Sequence, residues 1–477
     1  MEGIVMPGKL THFKIEALHN RYTINLEITD NKLVLIGENG AGKSTIVNFI
    51  YLFLTQQWRR ITALYDFKSI IVKIDSNEIK LTKEEILKSI TTSQLLGRFP
   101  SSLRQRLSQM LAEHPTSEVL NNPEAIELYS VRYGIPRGAI MEYLDAAFEE
   151  FPHSTTDRLE EVKKLLKSSF TDKVLYLPTY RRIEQDLAFI SPELASSLDF
   201  EKAMDRWHRR ARSEDYIELV EFGMGDVERT IKSKMRELSD GSRSDLGKLT
   251  STYLRDVILG AYQNAEPAHI DEVDEDTIKA IFNRIDQSVL PKPEQLILQD
   301  NIREIRTNRE FQDKDKVVVH FLIKLIDFYK LQQEKEKHVQ DFVDVCNQYL
   351  TGKSFFYDII NFDVSIRLQS LHTNNVSELD SKEEILKMSK LSSGEKQIVS
   401  LFSEIYLSGN SSYFVIIDEP ELSLSVLWQK RFLPDIWNTK RCNGLIAVTH
   451  SPYIFDNSLD DYARSLDQFM EPLNVKS

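Results

Sequence analysis

The run "KLVLIGENGAGKSTIVNFIY", residues 32–51, constrains the fold more than any other segment. Lys32 to Ile36 is a short apolar run suited to a buried strand. Gly37 to Ser44 satisfies G-x-x-x-x-G-K-[ST] at every fixed position, and Ile46, Val47, Phe49 and Ile50 continue with helical spacing. Strand, glycine loop and helix in that order predict a phosphate cradle. The glycines let the backbone curl so that successive N–H groups converge on phosphate oxygens, and the helix adds its positive N-terminal end. The expected nucleotide-binding residues are Asn39, Gly40, Ala41, Gly42, Lys43, Ser44 and Thr45. Lys43 would reach the β- and γ-phosphates of ATP, and the Ser44 hydroxyl would hold Mg²⁺. The bland alternative is a glycine-rich turn without a ligand.

Nothing in the following hundred residues offers a catalytic carboxylate. "SYFVIIDEPELSLS", residues 412–425, does. Tyr413 to Ile417 reads as a fully buried parallel strand, with Asp418 and Glu419 at the end where open α/β sheets place ligand chemistry. Asp418 is the expected Mg²⁺ partner, and Glu419 the carboxylate that orients or deprotonates water. Taken alone, such a run is equally an ordinary strand end; the glycine loop upstream gives it meaning.

Two more segments narrow the class. In "KMSKLSSGEKQIVSLFSEIYL", residues 387–407, a Ser-Ser-Gly-Glu turn precedes an amphipathic helix, so Ser392, Ser393, Gly394 and Glu395 form a second expected anion site. One nucleotide needs one cradle, so a second, far downstream of Lys43, implies two subunits sharing the ligand. "GLIAVTHSPYIF", residues 444–455, is another apolar strand that ends in Thr449-His450-Ser451. His450 at that strand end faces the crevice of the γ-phosphate and is expected to sense it; the alternative is a structural histidine.

Glycine loop, "LSSGE", "VIIDEPE" and "THS" in this order resemble the ATP-binding-cassette ATPases. The resemblance implies a head-to-tail dimer in which Ser392 and Gly394 of one copy close on ATP held by Lys43 of another. The long gap between the first two motifs resembles the RecF and SMC branch, whose ATPase halves bracket an inserted arm. "GENGAGKST" with "IIDEPELSLS" and "VTHSPYIF" further resembles the stand-alone AAA-family ATPases of bacterial anti-phage defence, a group that includes the OLD-type nucleases. In PARIS and Septu systems such an ATPase works with a separate TOPRIM- or HNH-type nuclease. Relatives often read "LSLHP" after the acidic motif; here Ser425 and Val426 replace the histidine and proline, which leaves the dimer contact near Ser423 open.

The implied fold is α/β: an ABC-type P-loop head with a parallel core in a mixed sheet, carrying a large helical or coiled-coil insertion. Residues 1–83 form the first part of the head and 84–170 a helical insertion, in which "SLRQRLSQMLAEH" and "AIMEYLDAAFEEF" show helical spacing. Residues 171–190 return to the head as the strand "KVLYL" and a sensor loop with Arg181, Arg182 and Gln185 as candidates for the γ-phosphate. Residues 191–353 form a helical arm and 354–477 the rest of the head. Within the arm, residues 315–350 are expected to form one helix of about 36 residues, roughly 54 Å long. The basic run "DRWHRRARS", residues 205–213, suits nucleic acid, an acidic partner or a solvated helix face.

Composition excludes other classes. The 477 residues carry a formal charge of −13, a poor match to generic nucleic-acid binding. No apolar run approaches a membrane span, and no signal peptide is legible. Two cysteines, Cys346 and Cys442, make no disulfide framework or metal spacing, so a cytoplasmic location without membrane is expected. No Ser-His-Asp set or nuclease carboxylate cluster stands out, and the stretch after Phe455 is short for a TOPRIM domain. The expected protein is therefore an ATPase without its own nuclease, forming a homodimer or higher oligomer. It would hold, release or activate an effector nuclease in response to a phage trigger protein. The alternative is a RecF-like repair ATPase that clamps DNA.

Overall fold

The computed structural model describes residues 8–38, 40–89, 99–114, 125–137, 139–140, 143, 157–178, 216–218, 224–266, 274–284, 291–307, 313–368, 385–409 and 411–473. In chain order the elements begin β1 (Leu10–Leu18), β2 (Tyr22–Glu27), β3 (Lys32–Ile36), α1 (Lys43–Leu54), α2 (Trp58–Leu64), β4 (Ser69–Ile74) and β5 (Asn77–Thr82). Four helices follow, α3 (Lys83–Ser89), α4 (Ser101–Glu113), α5 (Ala125–Tyr133) and α6 (Asp157–Ser169), then β6 (Lys173–Leu177) and β7 (Tyr216–Glu218). Next come α7 (Met224–Ile258), α8 (Glu275–Arg284), α9 (Lys292–Thr307), α10 (Asp313–Asn347), β8 (Lys353–Asp358), β9 (Asp363–Leu368), β10 (Ile385–Leu386) and α11 (Ser393–Leu407). The chain closes with β11 (Tyr413–Asp418), α12 (Val426–Trp437), β12 (Cys442–Thr449), β13 (Ala463–Ser465) and β14 (Met470–Pro472). They group into two compact units, one drawn from Met1–Glu221 with Asn410–Ser477, the other from Phe222–Gly409.

The first unit has two sheets. One is parallel, in the order β13-β3-β12-β11-β6-β7. Its central strands bury nearly every residue, as a sheet covered on both faces requires. The other is antiparallel, in the order β14-β2-β1-β4-β5, and its strands alternate buried and exposed positions. Helix α1 fills the space between them. Its residues from Ile46 to Leu54 are all buried, which is why its sequence is apolar on every side. Phe53 meets Phe13 of β1 edge-on at 5.4 Å, while Tyr51 stacks on Tyr176 of β6 at 4.4 Å. The helix whose N-terminus carries Lys43 and Ser44 is thus wedged between both sheets.

Polar side chains fasten the other end of the parallel sheet. Asp172 Oδ1 accepts from Ser412 Oγ at 2.5 Å and Asn443 Nδ2 at 2.8 Å; Asn31 Nδ2 donates to the Asn443 carbonyl at 3.0 Å. These bonds fix the stagger of β3, β12, β11 and β6, and so the alignment of their opposite, functional ends.

The second unit is mainly helical. α7 and α10 pack together, joined by ion pairs from Asp245 to Lys335 and Asp256 to Lys324. Ile278, Phe282, Ile302, Val319, Leu322 and Leu325 form a core between α8, α9 and α10. Arg284 holds Glu336 through two bonds of 2.9 Å, and both side chains are buried. Burial pushes the Glu336 carboxyl above its ordinary range, against the pull of Arg284. A hairpin of β8 and β9, with β10 alongside, and helix α11 complete the unit.

The α/β head expected from sequence is present, with its parallel core sheet and a separate antiparallel sheet. The long helix read at 315–350 is α10, and "KVLYL" joins the parallel sheet beside β11 as β6. Two boundaries differ. Residues 216–218, placed by sequence in the helical arm, form the edge strand β7, too short for alternation to mark it. The returning head, expected from 354, divides between the units at Gly409–Asn410, because β8, β9 and α11 pack on the arm helices. Among the described residues, no helix is long and apolar enough to cross a membrane.

Candidate functional site

The site lies at the C-terminal ends of β3, β11 and β12, and begins with the loop after β3. Gly40 and Gly42 take φ of 83° and 91°, a region in which a side chain is strained. Cβ atoms placed on either glycine would meet nothing within 4 Å, so the loop borders open space. Lys43, the first residue of α1, is buried and folds back over its own loop. Its Nζ donates to the carbonyls of Gly37 at 2.8 Å and Glu38 at 2.7 Å. Burial pulls the Lys43 ammonium below its usual pKa, while Glu419, Asp418 and Glu421 act in the opposite sense.

Ser44 Oγ donates to Asp418 Oδ1 at 2.9 Å. The residues expected to hold Mg²⁺ therefore meet, although one lies in the first turn of α1 and the other at the end of β11. Their chemistry fits that ion: two hard oxygen donors that leave most of an octahedron to phosphate oxygens and water. Among the described residues no cluster of three or more His, Cys, Asp or Glu side chains could hold a metal unaided.

Glu419 follows β11 with φ of 52°, its N–H bound to the Val448 carbonyl at 2.9 Å. A non-glycine residue in that region is uncommon and is held by its surroundings. It turns the carboxylate to within 3.9 Å of His450 Nε2. His450 Nδ1 lies 3.4 Å from Lys43 Nζ. An ammonium has only donors, so Nδ1 can act at this contact only as an acceptor, while Nε2 faces Glu419. Lys43, His450 and Glu419 thus lie in a line, with the imidazole between the ammonium and the carboxylate.

The signature turn lies in the second unit. Ser392 and Ser393 are exposed at the start of α11, and Gly394 and Glu395 are buried. Ser392 Oγ accepts from the Glu395 N–H at 3.4 Å, and Glu395 Oε2 accepts from the Ser392 N–H at 2.8 Å, a complete capping box. Lys353 of β8 adds an ion pair to Glu395 at 2.9 Å. Burial drives the Glu395 carboxyl up, yet the Ser392 N–H and Lys353 outweigh it and hold the group below its ordinary range.

Asn39 and the sensor candidates Arg181, Arg182 and Gln185 lie outside the described residues, as does the basic run 205–213. Three features escaped the sequence reading. Glu421 accepts from Thr449 Oγ1 and from the His450 N–H, both at 2.8 Å. Its place within "DEPE" was the available signal. Gln429 accepts from Ser451 Oγ at 2.6 Å. A cleft of about 470 Å³ opens beside the glycine loop, walled by Gly40, Gly42 and Thr45 on one side and His19, Tyr22 and Met470 on the other. Burial holds the His19 imidazole below its ordinary pKa, with Asp66 opposing, so the ring is neutral at pH 7.

The profile of the AAA ATPase domain matches residues 9–455. No curated protein matches the sequence significantly. Solved structures similar to it include a Pyrococcus furiosus Smc head domain with an extended coiled coil, bound to the C-terminal domain of ScpA. That pair shows 11% identity over 94% of this chain and 91% of the other, with a TM-score of 0.31. A second, the Smc head domain with a coiled coil and joint from Pyrococcus yayanosii, shows 12% identity over 94% and 93%, with a TM-score of 0.28.

Proposed function

The chain belongs to the AAA ATPase domain family, and from that premise we propose that it hydrolyses ATP between the glycine loop and the acidic strand, with Glu419 as the carboxylate that orients and deprotonates water. The observation that carries this reading is the 2.9 Å bond from Ser44 to Asp418, which joins two halves of one site across 374 positions of sequence. Lys43 would exchange the carbonyls of its own loop for phosphate oxygens, a change that requires no new charge in the site. Ser44 and Asp418 would hold Mg²⁺, which would supply neutralisation of phosphate charge. His450, between Lys43 and Glu419, would sense the γ-phosphate. The cleft lined by His19 and Tyr22 suits a planar base and its sugar, since both rings offer flat faces beside the glycine loop.

The finer reading is a scaffold. Copies of the chain pair head to tail, the Ser392–Gly394 turn of one closing on ATP held by another, and the assembly holds and releases a separately encoded effector nuclease in anti-phage defence. Two features support it: an exposed pair of serines at the N-terminus of α11, and a charge of −13 that favours protein partners over DNA.

Mass photometry of the Glu419→Gln protein, expressed from its own operon with ATP or ADP, tests this. A large ATP-dependent particle that contains a second chain is the expected result. A bare dimer that tightens on duplex DNA, with steep salt dependence, overturns the scaffold in favour of a DNA clamp. Ser392→Arg should still bind ATP as a monomer but lose ATP-driven pairing; pairing at the wild-type level would rule out the shared site.

A further inference from the structure

Hydrolysis needs one carboxylate for the metal and one for water, yet the segment after β11 brings a third, Glu421, into the same site. Both of its oxygens are engaged by the histidine turn: Oε2 accepts from Thr449 Oγ1 and Oε1 from the His450 backbone N–H, each at 2.8 Å. Thr449 Oγ1 in turn accepts from the Ser451 N–H at 2.9 Å. Ser451 Oγ donates to Gln429 Oε1 at 2.6 Å, and Gln429 Nε2 donates to the Leu424 carbonyl at 2.9 Å. Three consecutive residues of the turn are therefore bound by side chains from the segment that follows β11.

The contacts of the imidazole itself are longer, 3.4 Å to Lys43 and 3.9 Å to Glu419. Contacts of that length do not fix a ring, whereas charge-assisted bonds of 2.8 Å to the Thr449 hydroxyl and the His450 N–H fix the turn that carries it. We infer that Glu421 is a positioning residue for the ATPase reaction: its carboxylate holds the Thr449 hydroxyl and the His450 backbone N–H and thereby aims the imidazole between Lys43 and Glu419. The inference rests on the ATPase reading given above. Glu421 also raises the proton affinity of Lys43 through space, so charge and clamp must be separated.

The variants separate them. Glu421→Ala removes both acceptors and should lower kcat about 10²-fold, the scale of a misplacement of about 1 Å, while KM stays within about threefold. Glu421→Gln keeps an acceptor for the His450 N–H without the charge and should lose less than about tenfold. In a His450→Ala background, Glu421→Ala should add less than about threefold, since it would act only through the missing ring. Equal losses in the Gln and Ala variants overturn the clamp in favour of charge, and a full additional loss in the His450→Ala background overturns it as well. So does a kcat within about twofold of wild type, or a fall in ATP affinity that matches the fall in kcat. If Glu421→Ala does not fold, Thr449→Val removes one of the two bonds and should cost about tenfold; an unchanged kcat in that variant likewise overturns the clamp.

One readout is independent of turnover. In nucleotide-free protein labelled with ¹³C-histidine, Glu421→Ala should shift and broaden the His450 ring resonance, and an unmoved resonance rejects the clamp. A wild-type protein that does not hydrolyse ATP but shows this shift would remove the ATPase reading and leave the clamp standing.

Discussion

In the first unit, Lys43 at the start of α1, Asp418 and Glu419 at the end of β11, and His450 after β12 reach one place from distant parts of the chain, whereas in the second Ser392 and Glu395, three residues apart, satisfy each other within a single turn. The first arrangement holds Glu419 at φ 52°, an ammonium bound to the carbonyls of its own loop, and an imidazole with contacts beyond 3 Å. The second is closed, capped and paired, down to Lys353 on Glu395 and Arg284 on Glu336. Groups that a ligand would recruit are engaged by contacts drawn from distant parts of the chain, which a ligand can replace; the capped turn is closed by its own neighbours. Substitution in the first unit should therefore cost function with little stability, and in the second stability before function.

The sharpest test of that contrast is Glu419→Gln. It keeps size and removes the base, so turnover should fall about 10²- to 10⁴-fold with ATP still bound and the melting temperature unchanged. Turnover that stays at the wild-type level would refute Glu419 as the catalytic carboxylate. Lys43→Ala should cost about 10³-fold in nucleotide affinity by isothermal titration, the scale of losing one partner of a buried charged contact. Affinity within about tenfold of wild type would show that the loop N–H groups hold the phosphates without it.

The opposite expectation applies to Arg284→Ala. It leaves Glu336 buried without its bidentate partner, at about 3–5 kcal/mol, or roughly 10 °C in the melting transition of the second unit. Nucleotide affinity of the first unit should not change. A variant that melts normally but binds ATP poorly would invert the comparison between the units.

How much of this was legible in sequence follows from how local each feature is. The glycine loop, the run Tyr413–Ile417 and the strand ending at Thr449 carry their pattern in adjacent residues, and β3, β11 and β12 appear where read. The signature turn was legible because a capping box spans only four residues. Glu421 was not, since its partners lie 28 and 29 positions away and no periodicity links them. His19 and Tyr22 come beside the glycine loop only through the fold of the antiparallel sheet. Helix α7 lies within the stretch read as a helical arm, but its bounds were not legible. Its centre, "SDGSRSDLGKLTS", is rich in weak helix formers, and packing with ion pairs against α10 maintains it.

The smallest effect, and the one that isolates the closed character of the second unit, belongs to Glu395. Glu395→Gln preserves the capping box, because glutamine serves equally at that position, and removes only the charge opposite Lys353. The cost should be about 1–2 kcal/mol at pH 7, since Lys353 is left largely buried without its counter-charge. The pH dependence has a definite sign. The folded carboxyl sits below its ordinary value of 4.5, so its contribution is complete above that pH and is lost as pH falls through the folded value. Melting curves of wild type and variant should therefore differ at pH 7 and pH 5 and converge in stronger acid. A constant gap down to pH 3 would mean that shape, not charge, makes Glu395 important. Convergence would identify the Lys353 ion pair as the contribution of Glu395 to the stability of the turn at the start of α11.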